Sequence, residues 1–243
     1  MCYNYALALY KNQKEFENIF GATFYEKDTF DRTYYVNSFS IPKMPVITNT
    51  DSKHFQFFYW GLIPFWVKNE EDAEKIRNQT MNARGETLFE KPSFRSSIKN
   101  KRCLIPADGF FEWRYLLGKN YPYFIYLKDK QLFSFAGLWD EWRNPVTKEI
   151  IHTYSIITCE PNSLLKKIHN KKKRMPVILP RDKQQKWIDN SLHREEIKDL
   201  LAPYPDEKMQ AHTISRLITS KNKDRNIQEV IKPFSYPELR GIE

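Results

Sequence analysis

Short apolar runs separated by turn-forming segments dominate the hydrophobic pattern of this chain. The runs RCLIP, FFEWRY, YPYFIYLK, QLFSFAGLW, IIHTYSIITC and RMPVILP are rich in β-prone residues, and ADG and RNPVTKE separate them as turns. The aromatic segment HFQFFYWGLIPFW predicts a strand followed by a turn, and HTISRLIT predicts a final strand. The first apolar run, Tyr3 to Tyr10, indicates that the N-terminus is held in the core.

Helical spacing of apolar residues is confined to a few segments. Residues 11–21, KNQKEFENIFG, carry three apolar residues at helical spacing and end at Gly21, a typical C-cap. The segment NSLLKKIH also has helical spacing, and Asn162 is placed to cap it. The polar residues 69–79 predict a helix or a loop. Two further amphipathic helices are predicted near 181–190 and 193–202.

Strand runs with helices inserted irregularly predict an α+β fold. We expect mainly antiparallel strands curled into a barrel-like sheet, with helices at its periphery. The chain has no repeat, low-complexity tract or Gly/Ser linker, so residues 1–243 are predicted to form one domain. Its hydrophobic content of 41% and aromatic content of 15% favour a globular protein over a disordered one.

The charge and the cysteine content narrow the class of protein. A net charge of +9 favours an anionic partner such as nucleic acid, although a Lys-rich composition alone gives the same value. No apolar run approaches the roughly 20 residues that span a bilayer, and no signal peptide is visible. Three distant cysteines support neither a disulfide framework nor a zinc site, and Cys103 and Cys159 are predicted to be small buried hydrophobes. We expect a reduced, cytoplasmic protein without membrane, metal or cofactor.

Polar groups interrupt apolar sequence in four places, and the first is Cys2. A small second residue allows the cell to remove Met1, which would leave Cys2 with a free amine beside its thiol. The other places are NARGET (82–87), PADGFFEW (106–113) and IHNKKKRMP (168–176).

Three side chains in these segments have alternative interpretations. Alternation places Glu112 on the strand face opposite Phe111 and Trp113, where it is either exposed to solvent or partly buried with a raised pKa. His169 is either a histidine stabilised by a helix terminus or a proton donor near a reacting oxygen. Asn82 either orients a substrate or the terminal amine, or is a turn residue.

An ordered set of motifs resembles one known family. The segments MC, WGLIPFW, NARGET, EKPSFR, RCLIPADGFFEW, FAGLWDEW, IITCEPN, the His169 segment ending RMPVIL, and HTISRLI occur in the order seen in the SOS response-associated peptidase (SRAP) family. They extend from residue 2 to about residue 220, so the resemblance covers nearly the whole chain.

The resemblance implies covalent capture of abasic sites in single-stranded DNA. In the family, the amine of the mature N-terminal cysteine condenses with the sugar aldehyde, and the thiol closes a thiazolidine ring; the match places this role on Cys2. By the same match, Glu112 moves protons, His169 assists sugar ring opening, and Asn82 positions the amine. The resemblance also implies weak lyase activity at the abasic site and removal of Met1, either by the protein itself or by an aminopeptidase.

DNA contacts are expected from cations for phosphates and aromatic faces for bases. The resemblance implies Arg84, Trp66, Pro42, Lys171 and Arg174, and core packing is the alternative for Trp66. The chain departs from the family where Tyr3 and Asn4 replace the usual Gly-Arg, and where H-x-R-M-P becomes H-N-K-K-K-R-M-P. We expect a monomer.

Two other functions remain open from the sequence. One is a cysteine hydrolase that uses the Cys2 thiol with His169 and Glu112. The other is a non-catalytic protein that binds single-stranded nucleic acid.

Overall fold

The structure is a computed structural model, and it describes residues 2–7, 12–25 and 32–240. Its strands are β1 (Asn4–Leu7), β2 (Thr33–Asn37), β3 (Lys43–Thr48), β4 (Gln56–Trp60), β5 (Asn82–Arg84), β6 (Arg102–Ala107), β7 (Gly109–Leu116), β8 (Lys119–Leu127), β9 (Phe133–Arg143), β10 (Ile150–Cys159), β11 (Met175–Pro176), β12 (Ile178–Leu179) and β13 (Met209–Thr213). Its α-helices are α1 (Gln13–Phe20), α2 (Glu70–Arg77), α3 (Ser97–Asn100), α4 (Ser163–Ile168), α5 (Arg181–Trp187) and α6 (Arg194–Asp199).

Five strands close into a barrel, as the sequence predicts. The ring runs β10, β4, β3, β6, β9 and back to β10, because β9 and β10 also pair with each other. The β10–β4 pair is parallel and the other four pairs are antiparallel. Closure leaves no unpaired edge around this ring. The fold class is therefore α+β with a barrel.

A second, five-stranded sheet carries the start of the chain. Its strand order is β13-β8-β7-β1-β2, so β1 lies between two partners. Tyr5 pairs with Phe110 of β7 and with Val36 of β2. The expectation that the N-terminal run is held in the core is confirmed for Asn4–Leu7, while residues 8–10 of that run lie outside the described residues.

Aromatic side chains fill the space between β1 and the barrel. The Tyr5 ring lies 5.3 Å from the Trp60 ring and 5.9 Å from the Phe135 ring, measured between centroids, and its hydroxyl lies 3.2 Å from that of Tyr154. All four side chains are buried. The apolar strand runs therefore form the core, and the N-terminus is part of it.

The predicted helices begin and end where capping groups allow. Asn12 accepts from the backbone N–H of Glu15, and Gly21 ends α1 in the left-handed conformation at φ 64°. Asn162 accepts from the backbone N–H of Leu165 at 2.9 Å, which confirms its predicted cap on α4. Residue 11 lies outside the described residues. The polar residues 69–79 contain α2, while α5 and α6 are shorter than predicted.

The final predicted strand is only partly correct. Strand β13 ends at Thr213, and residues 216–219 form a 3-10 helix instead. Ile214 forms only an isolated bridge with Pro233, and proline has no N–H with which to extend a ladder. The strands β2, β3 and β5 had no counterpart in the sequence analysis.

The described residues contain neither a membrane-spanning helix nor a metal-binding cluster. Within residues 2–7, 12–25 and 32–240, no helix has the length and apolar character needed to cross a bilayer. Over the same ranges, no group of three or more His, Cys, Asp or Glu side chains is placed to hold a metal ion.

Candidate functional site: a buried cluster at the N-terminal cysteine

Cys2 lies two residues before β1 and is fully buried. The side-chain amide of Asn82 donates a hydrogen bond to the main-chain oxygen of Cys2 at 2.9 Å. The Cys2 thiol donates to the main-chain oxygen of Asn4 at a sulphur–oxygen distance of 3.6 Å. Burial raises the pKa of the thiol, and the negative charge of Glu112 raises it further. The thiol is therefore neutral near pH 7.

Asn82 is held in a strand, so the turn interpretation is wrong. Strand β5 pairs in parallel with β10, and Asn82 lies opposite Ile156. The side chain is more than nine-tenths buried, and its oxygen has no hydrogen-bond partner among the described residues. Buried amide oxygens usually have a partner. The Asn82 oxygen is thus an available acceptor beside Cys2.

Glu112 is buried, which rules out the solvent-exposed alternative. Its neighbours Phe111 and Trp113 pack together on the outer face of the five-stranded sheet, and only 3% of Glu112 is exposed. Burial raises the pKa of the carboxyl to about 7, although the positive charge of Lys172 opposes the shift. A carboxyl with this pKa exchanges protons readily near neutral pH.

His169 caps the C-terminal end of α4 and is buried. Burial lowers the pKa of the imidazole to about 4, so the ring is neutral at pH 7. The alternative of a histidine cation stabilised by the helix terminus is therefore wrong. Its Nδ1 lies 2.8 Å from the carbonyl oxygen of Arg174 and 3.6 Å from the Glu112 carboxylate. A carbonyl oxygen only accepts, so Nδ1 carries the hydrogen, and Nε2 has the lone pair.

The structure therefore brings all four predicted catalytic side chains into one cluster. Asn82 contacts Cys2, Glu112 contacts His169, and the two pairs meet because β1, which follows Cys2, pairs with β7, which carries Glu112. Tyr3, which stands where the family described above usually has glycine, also borders the cluster. Burial and the Glu112 charge raise the pKa of its phenol, and its ring packs 5.1 Å from that of Phe39.

The predicted phosphate-binding cations have different environments. Arg174 forms a two-pronged ion pair with Glu86 at 2.6 and 2.9 Å, and it also donates to the Thr158 carbonyl oxygen at 2.6 Å. Lys171 places its ammonium group 3.4 Å from the centre of the Tyr115 ring. Arg174 is thus engaged within the protein. Arg84, by contrast, is exposed at the end of β5.

Trp66 and Pro42 lie outside the cluster. Trp66 is 44% exposed, so core packing does not describe it, and its indole N–H donates to the Pro92 carbonyl oxygen at 3.4 Å. Pro42 is half-buried and accepts a hydrogen bond from the backbone N–H of Trp60 at 3.0 Å. No hydrogen bond, ion pair or ring contact found among the described residues joins either side chain directly to the four clustered residues.

The chain is similar in sequence to a family of known proteins. The sequence profile of the SOS response associated peptidase (SRAP) family matches residues 1–221. The chain belongs to the SRAP family. It is 40% identical to the abasic site processing protein YoqW of Bacillus subtilis over 189 residues, which cover 76% of this chain and 81% of YoqW. It is 33% identical to the abasic site processing protein HMCES of Gallus gallus over 186 residues, which cover 68% of this chain and 54% of HMCES.

Two solved structures have the same fold as this chain. The crystal structure of a protein from Bacteroides thetaiotaomicron superimposes with a TM-score of 0.89 at 40% identity, covering 96% of this chain and all of the other. A protein from Bordetella bronchiseptica superimposes with a TM-score of 0.75 at 27% identity, covering 88% of this chain. The fold of this chain is thus shared by both solved proteins.

The sequence analysis missed two residues that hold the loop after His169. Asn170 bonds the main chain of Tyr115 with both ends of its amide, and Glu86 holds Arg174. Neither role follows from alternation or spacing, because each partner lies more than 50 residues away in the chain. Proximity of Asn170 to His169 was the only available signal.

Proposed function

We propose that the protein captures abasic sites in single-stranded DNA through the amine and thiol of Cys2 after Met1 is removed. The observation that carries the proposal is the position of Cys2. The Asn82 side-chain amide donates a hydrogen bond to the Cys2 carbonyl oxygen and so holds Cys2 in a buried cluster with Glu112 and His169. The names of its relatives, abasic site processing proteins, support the same substrate class.

The capture reaction is a condensation followed by an addition. The neutral amine of Cys2 adds to the aldehyde carbon of the opened sugar, and loss of one water gives an imine. The thiol then adds across the C=N bond, with sulphur going to carbon and the proton to nitrogen, and a thiazolidine ring forms. An α-amine has an ordinary pKa of about 7.7–8.0, so a useful fraction is neutral near pH 7. No oxidant or reductant is required.

Glu112 and His169 divide the proton transfers. Protonated Glu112 donates to the hydroxyl that leaves as water, and its conjugate base takes the proton released by the amine. A pKa of about 7 makes both forms available at neutral pH. His169 carries its hydrogen on Nδ1, so Nε2 accepts a hydrogen bond from a sugar hydroxyl. The unpartnered Asn82 oxygen accepts from the Cys2 amine.

The geometry gives less support to a cysteine hydrolase. Such an enzyme needs a thiolate activated by an adjacent base. Burial raises the pKa of the Cys2 thiol, and the thiol donates to the Asn4 carbonyl oxygen. The His169 ring contacts Glu112 and the Arg174 carbonyl oxygen. An amine nucleophile fits this site better than a thiolate.

DNA binding by a monomer completes the proposal. Arg84 and the lysines that follow His169 supply charge for phosphates, exposed Trp66 offers a face for base stacking, and Pro42 supplies a further apolar contact. The imine intermediate also permits weak strand cleavage by β-elimination. Met1 is removed by the protein itself or by an aminopeptidase.

A single-stranded oligonucleotide with one abasic site tests the proposal. We expect processed wild-type protein to give a band that survives denaturation, with a mass equal to the sum of the two components minus one water. Cys2→Ala keeps the amine but lacks the thiol, so it forms an imine that borohydride traps and no stable adduct without borohydride. Acetylating the Cys2 amine abolishes both products at this residue. Retaining Met1 places the Cys2 nitrogen in a peptide bond, so it abolishes the adduct that is stable without borohydride.

The outcomes separate the three functions. Absence of an adduct from processed wild-type protein would refute covalent capture. Peptide or ester hydrolysis that survives acetylation but is lost in Cys2→Ala would instead indicate a cysteine hydrolase. Binding that weakens with salt by a slope of about −0.7 per phosphate, equal in wild type and Cys2→Ala and without an adduct, would indicate a non-catalytic binder.

A further inference from the structure

The loop after His169 is fixed to the strand that carries Glu112. The Asn170 amide spans the main chain of Tyr115 on β7: its oxygen accepts from the Tyr115 N–H at 3.0 Å, and its nitrogen donates to the Tyr115 carbonyl oxygen at 2.7 Å. This is the pair of bonds that an adjacent strand would make. Asn170 therefore acts as a one-residue substitute for a neighbouring strand.

The edge of β7 needs such a substitute at this position. Strand β1 pairs with β7 at Phe110 and Gly109, and Tyr115 lies five residues beyond that pairing. On its other side β7 is fully paired with β8, where Tyr115 lies opposite Asn120. Main-chain groups left without a strand partner require another donor or acceptor. The Asn170 side chain meets that requirement just past the end of β1.

The rest of the loop is built to hold His169. The backbone N–H of Lys173 donates to the His169 carbonyl oxygen at 2.8 Å, and the His169 ring bonds the Arg174 carbonyl oxygen at 2.8 Å. Lys173 has a φ of 48°, a left-handed conformation that is uncommon for lysine and persists where surrounding bonds impose it. The ammonium group of Lys171 lies over the Tyr115 ring.

We propose that Asn170 is a positioning residue that sets the distance between the His169 imidazole and the Glu112 carboxylate. Glu112 lies three residues before Tyr115 on β7, and His169 immediately precedes Asn170, so the Asn170–Tyr115 clamp joins the two elements next to both groups. The 3.6 Å separation then depends on the clamp. The effect on DNA capture rests on the proposed function, whereas the effect on the His169 ring does not.

Replacing Asn170 with alanine tests the clamp. We expect the loop to loosen and His169 to gain solvent, so that the pKa of His169, followed by NMR, rises from about 4 towards its ordinary value. The Tyr115 amide should exchange with deuterium faster. Capture of the abasic oligonucleotide should slow about 10- to 100-fold at saturating DNA, since displacing a reacting group by about 1 Å can cost about 100-fold.

Asn49→Ala is the matched control. Asn49 also uses both ends of its amide in a different part of the fold: it donates to the Asn100 carbonyl oxygen and to the Asn190 side-chain oxygen, and it accepts from the Trp139 indole N–H. It should leave the Tyr115 amide, the His169 pKa and the capture rate unchanged. Asn170→Asp keeps the acceptor for the Tyr115 N–H and loses the donor, so its capture rate and Tyr115 exchange should fall between those of wild type and Asn170→Ala.

The inference and the proposed function fail in different ways. If wild-type protein forms no adduct, covalent capture is wrong, and the Tyr115 exchange and His169 titration still decide the role of Asn170. If Asn170→Ala keeps the wild-type His169 pKa, Tyr115 exchange and capture rate, Asn170 does not position the pair. If Asn170→Ala does not fold, wild-type exchange and rate in Asn170→Asp overturn the inference.

Discussion

At the scale of single residues, the cluster around Cys2 combines a carboxyl and an imidazole that burial shifts in opposite directions. The pKa of Glu112 rises to about 7 and that of His169 falls to about 4, so both groups favour their neutral forms in the folded protein. Their 3.6 Å contact is therefore a contact between largely neutral groups at mildly acidic pH, rather than an ion pair. A neutral pair suits reversible proton transfer.

Glu112→Gln should stabilise the protein above pH 7. A folded-state pKa above the unfolded value means that the Glu112 contribution is fully present below about pH 4.5 and is lost as pH rises to about 7, because the buried carboxyl must then ionise. Gln has no such loss. At about 1.4 kcal/mol per pKa unit, the gain in unfolding free energy reaches up to about 3 kcal/mol at pH 8.

Urea unfolding of Glu112→Gln and wild type at pH 5 and pH 8 measures this difference. The advantage of the variant should grow between the two values, while DNA capture slows because Gln transfers no proton. Glu86→Gln is the control variant, because the pKa of Glu86 is shifted in the opposite direction. Partial burial acts to raise this pKa, but the hydrogen bonds from Arg174 hold it below its usual range. It should lose stability at both pH values. Equal stability of wild type and Glu112→Gln at pH 8 would contradict the burial of an ionisable carboxyl.

The residue-scale chemistry was predictable only where local pattern determines burial. Alternation placed Glu112 opposite Phe111 and Trp113, and this side of the prediction is confirmed. Whether that opposite face is exposed to solvent depends on where β1 and α4 pack, and no local sequence pattern gives their positions. The internal engagement of Arg174 depended likewise on Glu86, 88 positions away.

At the scale of elements, close packing between three barrel strands depends on a glycine. Gly137 on β9 pairs with Cys103 of β6 and with Ile156 of β10. A Cβ at this position would lie 2.5 Å from the Ile105 side chain and 2.8 Å from the Cys103 sulphur. Both distances are too short for an ordinary contact, so the glycine allows β9 to approach β6.

Gly137→Ala should therefore destabilise the barrel by about 1–3 kcal/mol, the typical cost of overpacking a core. Chemical denaturation followed by tryptophan fluorescence measures the loss. Gly85→Ala is the control, because its new Cβ would meet the nearest atom, the Thr158 carbonyl oxygen, at 3.3 Å and so requires only a small adjustment. A Gly137→Ala variant as stable as wild type would show that β9 and β6 can separate without cost.

Most elements were predictable, but their partners were not. The long runs became β6 to β10 because their apolar, β-branched and aromatic residues favour strands in any core. The parallel pairing of β10 with both β4 and β5 joins segments more than 70 residues apart, and only the closed barrel determines it. That pairing places Asn82 beside Cys2, so the site could be listed by residue type but not assembled.

At the scale of the whole molecule, the segment after the family match covers the sheet that holds Cys2. The SRAP profile ends at residue 221, and residues 222–240 continue along the five-stranded sheet. Asn226 accepts from the backbone N–H of Tyr34 on the edge strand β2 at 2.7 Å. At the other edge, the Phe234 N–H donates to the Thr213 carbonyl oxygen at 2.8 Å. The segment thus protects both edges of the sheet.

The apolar part of this segment should stabilise β1 more than the barrel. Val230 is fully buried against the outer face, in a cluster with Ala6 of β1 and Phe111 of β7. Val230→Ala should lower the unfolding free energy by about 1–3 kcal/mol, since it removes buried methyl groups and leaves a cavity. Val146→Ala, at a position 72% exposed, should change it by less than about 0.5 kcal/mol.

Hydrogen exchange locates the effect of Val230→Ala. The amides of β1 and β2 should exchange faster in this variant, while those of β9 and β10 stay protected by the closed ring. Because β1 begins two residues after Cys2, the same loosening should slow DNA capture. Equal acceleration across the barrel and the second sheet would show instead that the two unfold as one unit and that the segment stabilises both alike.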